Sequence, residues 1–175
     1  MNTRSTPARY GNVAIAIHWS SALAVILAFL AGRAAANAEI VPPALLATHI
    51  ALGLTVFALT LLRIVWWIVA DRGPAPAPGM SKWHRIGSSA VHAALYVLLV
   101  LMATSGVITV LLSGAVPAIL AGGPVPDFSG LIPRTAHGVM SQILLVLFVG
   151  HVGAALYHQF IRRDRLLARM GVGSA

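Results

Sequence analysis

The chain has seven histidines, no cysteine and only four acidic residues, so imidazole is the side chain through which it can hold a metal or pass a proton near neutral pH. Three of the seven, His137, His151 and His158, fall in one apolar stretch, TAHGVMSQILLVLFVGHVGAALYHQFIRR, from Thr135 to Arg163. On a helix, the step from His137 to His151 returns to within about 40° of the same face and advances roughly 21 Å. The step to His158 stays on that face and adds about 10 Å. Bilayer hydrocarbon is about 30 Å thick. One helix therefore presents three imidazoles at three depths along one stripe. Polar groups at such depth are costly and face a partner, a cofactor or water.

The elements that position them follow from composition. With 58% hydrophobic and 9% charged residues, the chain reads as an integral membrane protein of one domain, residues 1–175. Its net charge of +8 is carried by a few residues set between apolar runs, which orients a membrane protein and does not fit a nucleic-acid surface. The lack of cysteine excludes thiolate-ligated zinc, iron–sulfur clusters, thiolate haem and disulfides. Met1–Asn12 is polar and has no secretory-signal pattern. Four spans are predicted, at about 13–31, 44–69, 87–112 and 135–161, and they make an all-α four-helix bundle. The links are Arg33–Pro43, the proline-rich Asp71–Gly79 with the basic, aromatic start SKWHRI, and the long apolar Ser113–Pro133, expected to fold over the mouth of the bundle.

Four spans put both termini on one side. Ten of the twelve Lys and Arg then lie at that side, leaving Arg33 and Arg134 at the other, so the positive-inside rule places both termini in the cytoplasm. Depth can now be compared between spans. His18 lies nine residues after Arg9, about 14 Å of helix, and His151 eleven residues before Arg162, about 16 Å. His49 and His137 lie just inside two spans that both descend from a proline, Pro43 and Pro133. Two pairs are expected: His18 with His151 in the inner half, and His49 with His137 near the outer surface. Opposed imidazoles at one level suit a bis-histidine haem, whose filled axial positions favour electron transfer over oxygen chemistry. Gly53, Gly138, Gly150 and Gly153 sit close to the ligand positions and leave room. All four carboxylates lie outside the spans, which argues against a carboxylate-bridged metal. A small transporter relaying protons through its histidines remains the rival reading.

The pattern resembles the bacterial cytochrome b561 family of small four-span dihaem membrane cytochromes. The matching pieces are Arg9-Tyr10-Gly11 through His18-Trp19, His49 with Gly53, Arg63, His92 with Tyr96, and His137, His151 and His158. They cover about residues 9–160. The resemblance implies two b haems with the pairing above, a bacterial inner-membrane location and a quinone partner. It also implies superoxide:ubiquinone oxidoreductase activity, with an electron taken from superoxide outside and passed to ubiquinone near the inner face. The alternative is a b-type cytochrome subunit relaying electrons between a protein donor and the quinone pool.

The remaining polar groups each carry two readings. His158 is either a quinone-site residue that donates a proton to the reduced quinone or a ring snorkelling to the interface. Trp19 and Ser20 either line the same pocket or, for Trp19, anchor the helix at the interface. Arg63 either meets a haem propionate or reaches lipid headgroups. His92 either neighbours a propionate or the quinone, or bonds a neighbouring helix. Lys82 and Arg85 suit lipid phosphate. His84, Trp66 and Trp67 read as interfacial. Arg33 and Arg134 flank the outer pair and would draw in an anion such as superoxide.

Overall fold

A computed structural model describes residues 2–75 and 80–173; part of the proline-rich link, 76–79, lies outside them. The described residues form helices and no strand. Four helices are long and apolar enough to cross a bilayer: α1 (Asn12–Asn37), α2 (Pro43–Val69), α3 (Lys82–Ser113) and the stretch Ile132–Arg162. The last comprises α5 (Ile132–Leu156) and a widened π-helical turn, Tyr157–Arg162. Between α3 and α5 runs the short α4 (Ala115–Ala121), and the tail holds α6 (Leu166–Arg169).

Local chemistry sets the ends. Pro43 opens α2, where a missing N–H costs nothing, and Pro133 does the same for α5. Ser81 caps α3, its hydroxyl accepting from the His84 N–H. Gly114, at φ 67°, ends α3 and lets α4 start at once. Within the spans, hydroxyls return to the helix itself: Thr48, Thr55, Thr60 and Thr104 each donate to the carbonyl four residues back. Such internal satisfaction is what hydrocarbon demands.

The sorting of side chains is that of a membrane bundle. Small and medium residues, among them Ala14, Ile17, Ala24, Leu46 and Val56, are buried, while Leu23, Leu30, Val65, Val97, Leu111 and Val146 point outward. Helix α1 packs along α2, α3 along α5, and α2 more lightly on α3. No backbone packing of similar extent joins α1 to α5. That side of the ring is spanned by side chains.

Both termini meet at one end. The Tyr10 N–H donates to the Arg169 carbonyl (3.1 Å). The Arg169 guanidinium donates to the carbonyls of Ala8, Pro7 and Ala75. Asp71, only 8% exposed, accepts from the Ser5 N–H (3.0 Å), the Ser5 hydroxyl (2.7 Å) and the Gly73 N–H (3.3 Å). Burial by itself raises the Asp71 pKa, but the Ser5 and Gly73 hydrogen bonds outweigh it and hold the carboxyl below the usual range. Gly11 passes so close to the arm that a Cβ would fall 2.3 Å from the Thr3 carbonyl oxygen.

Three boundaries differ from the sequence reading. Helix α1 continues through Arg33 to Asn37, because Ala-Gly-Arg-Ala-Ala-Ala-Asn is good helix sequence even where it is too polar for hydrocarbon. Helix α3 takes in the basic, aromatic Lys82–Ile86. The Ser113–Pro133 link contains helix α4.

Candidate haem and redox site

The space that α5 shares with α1 and α2 holds the paired imidazoles. His18 from α1 faces His151 from α5 with ring centres 6.3 Å apart. His49 from α2 faces His137 from α5 at 6.0 Å. Both pairs expected from depth therefore meet, separated along α5 by fourteen residues, or about 21 Å.

The separations can be tested against a metal. A metal–imidazole bond is about 2 Å, and a ring nitrogen lies roughly 1 Å from its ring centre. Two rings ligating one ion from opposite sides then have centres about 6 Å apart. Both pairs meet that requirement. The outer pair is also braced. The Nδ1 of His49 lies 2.8 Å from the Ala28 carbonyl. That of His137 lies 3.0 Å from the Met102 carbonyl and 3.1 Å from the Ser105 hydroxyl. An Nδ1–H donated to a carbonyl fixes the tautomer and leaves Nε2 as the free ligand atom. Gly32 and Gly106 admit these rings: a Cβ on Gly32 would lie 2.7 Å from His49 Cε1, and one on Gly106 3.3 Å from His137 Cε1. The glycines singled out by sequence behave otherwise. Gly53, Gly150 and Gly153 border open space, and a Cβ on Gly138 would meet the Arg134 guanidinium.

The inner pair has a richer polar setting. His92 on α3 brings its ring to 5.2 Å from His151, while its Nδ1 lies 2.6 Å from the Ser88 carbonyl. Arg63 on α2 reaches His18, with Nη1 2.9 Å from Nδ1, and lies 5.7 Å over the Tyr96 ring. Its Nε is buried without a partner among the described residues. A buried orphan donor on a cation suits an anionic acceptor, such as the carboxylates of a haem. The Tyr96 hydroxyl is held in turn by the Trp67 N–H at 3.2 Å.

At the termini end, Trp19 packs edge-on against His18 and donates its indole N–H to the Met170 carbonyl (3.0 Å), so it fastens the tail to α1. Ser20 is exposed. His158 lies in the π-helical turn, with Nδ1 2.5 Å from Asp164 Oδ2. The sequence analysis missed Asp164, Ser105, Gly32 and Gly106 as companions of the histidines. Only the contact between Asp164 and His158, six residues apart, was within reach of local sequence reasoning; the others come from facing helices.

A four-span helical bundle with two opposed imidazole pairs defines the class of membrane cytochromes. Comparison with known proteins agrees. The model of the family described as prokaryotic cytochrome b561 matches residues 9–173. The chain is 31% identical to cytochrome b561 homolog 2 of Escherichia coli, over 97% of this chain and 95% of that one. It is 28% identical to cytochrome b561 homolog 1 of the same organism over 70% of this chain and 72% of that one. It is 27% identical to cytochrome b562 of Cereibacter sphaeroides over 92% and 94%. The chain belongs to the prokaryotic cytochrome b561 family. It is a multi-pass bacterial membrane protein of the electron-transfer type, and the group that carries the electrons in this family is b-type haem.

Proposed function

We propose that the chain binds two b haems and moves electrons across the membrane from superoxide to ubiquinone, as a superoxide:ubiquinone oxidoreductase. The observation that carries the haem assignment is the pair of imidazole separations, 6.3 and 6.0 Å; superoxide and ubiquinone are the donor and acceptor that the family resemblance implies. His49 and His137 hold the outer haem and His18 and His151 the inner one. Haem b supplies reversible one-electron carriage when bound.

The chain's own residues do the rest. Arg134, at the start of α5, and Arg33, late in α1, put positive charge at the outer end and favour an approaching anion. The carbonyls of Ala28 and Met102 orient the outer ligands. His18 would hold the inner haem through Nε2, and the Arg63 guanidinium, whose Nη1 lies 2.9 Å from His18 Nδ1 and whose Nε is unpartnered among the described residues, would pair with a haem carboxylate. His92 lies at the edge of the inner pair, beside the carboxylates or the quinone. His158 donates the proton that ubiquinone takes up as it is reduced. Trp19 and Ser20 border that end of the pocket. The basic end with both termini faces the cytoplasm of the inner membrane, by the positive-inside rule. Residues 1–175 act as a single domain.

Reduced-minus-oxidised spectra with haem quantification test the assignment. The parent protein should hold two haems. His18→Ala and His151→Ala should lose the same one, and His49→Ala and His137→Ala the other. Losses matched across the pairs would overturn it. Stopped-flow mixing with superoxide should reduce the haems directly; a protein that responds only to a protein donor is a relay subunit instead.

A further inference from the structure

His158 has a companion that the proposed reaction does not yet use. Its Nδ1 lies 2.5 Å from Asp164 Oδ2. The two residues are also joined through the backbone, the Asp164 N–H donating to the His158 carbonyl at 3.2 Å. The chain reaches this arrangement at a conformational cost. Residues 157–162 widen into a π-helical turn, and Arg163 and Arg165, on either side of Asp164, adopt left-handed backbone at φ 56° and 57°. Side chains with a Cβ rarely take that conformation, and widened turns and left-handed residues gather where function requires them. Had the helix simply run on, residues 158 and 164 would lie about 120° apart around the axis and about 9 Å apart along it, with their side chains on different faces. The departure from regular helix is what brings the carboxylate to the ring.

We infer that Asp164 is the positioning residue for His158 in quinone reduction. It fixes the ring so that Nε2 carries the transferable proton, and it balances the positive charge of the ring before transfer. This rests on the reading of His158 given above. In each transfer the Nε2–H bond breaks and an O–H bond forms on the quinone. The ring becomes neutral, keeping Nδ1–H on Asp164, and Nε2 then takes a proton from water. Two superoxide ions, each giving up one electron and leaving as dioxygen, would supply the two electrons that with two such protons convert quinone to quinol. The Tyr157 ring stands edge-on to that of His158, their centres 5.9 Å apart.

The test uses the full-length protein with both haems, reduced chemically and mixed with a short-chain ubiquinone, haem reoxidation being followed by stopped flow. His158→Gln should slow reoxidation on the order of 100-fold. Asp164→Asn should slow it about tenfold or more at unchanged haem content and spectrum. In the His158→Gln background, Asp164→Asn should add nothing; with His158 intact, Asp164→Glu should keep more of the rate than Asp164→Asn. Nitrogen NMR of the ring gives a readout independent of turnover: the His158 Nδ1 proton should be strongly deshielded in the parent and lose that shift in Asp164→Asn. A full-rate His158→Gln protein would overturn the reading of His158 itself. A slow His158→Gln protein with a normal Asp164→Asn protein, or additive losses in the double variant, would overturn the role of Asp164 alone.

Discussion

At the scale of single residues, the two imidazole pairs differ in what stands behind them. The outer rings lean on backbone carbonyls, and His18 of the inner pair lies against a guanidinium. A cation favours the reduced iron, so Arg63 should raise the inner potential. A unit charge roughly 7 Å away at an effective dielectric of ~20 is worth about 2.4 kcal/mol, on the order of 100 mV. Arg63→Met should lower the inner haem midpoint by up to that amount in a potentiometric titration and leave the outer one in place. At the outer pair, Gly32→Ala sets a Cβ against the His49 ring, which must turn or withdraw. The expected result is loss of the outer haem, with bound haem falling to about half and the inner signal retained; an unchanged spectrum would show that the ring has slack. The histidines themselves were legible because charged span ends mark depth, and depth pairs residues on different helices. Gly32 and Gly106 were not, since a glycine that matters by facing a ring on a neighbouring helix has no local signature.

At the scale of elements, long apolar runs announced the four spanning helices, and Pro43 and Pro133 announced two of their starts. The extra turns of α1, the short α4 and the π-helical turn escaped because polarity ends a hydrophobic run without ending a helix. The knot of arm, α2–α3 link and tail escaped as well, being made of main-chain acceptors with no pattern of their own. Asp71 is the polar centre of that knot, and its pKa is depressed on folding. A depressed carboxylate contributes its stability above the unfolded pKa of about 3.9 and loses it as pH falls through the folded value. The arm should therefore stay docked at neutral pH and release only in strong acid. Asp71→Asn should release it at neutral pH, seen as faster amide exchange at Ser5 and Gly11 with both haems in place.

At the scale of the whole molecule, the proposed orientation rests on ten basic residues at the end that holds both termini, against two at the other. The absence of native cysteine makes this directly measurable. An impermeant maleimide should label Ser129→Cys in cells with a permeabilised outer membrane, and should label Thr3→Cys only after the inner membrane is opened. The reverse pattern would invert the direction of electron flow proposed above. The seam between α1 and α5 has a consequence of another kind. Two helical hairpins hinged at the α2–α3 face are closed on the far side by the arm and tail at one end, and under the proposed function the rest of that seam would be closed by ligands shared through iron. On that reading the prosthetic groups would serve as stitches as well as wires. A cell short of haem would make a chain left ajar, open to membrane proteases, so cofactor supply would set how much of this protein survives its own synthesis.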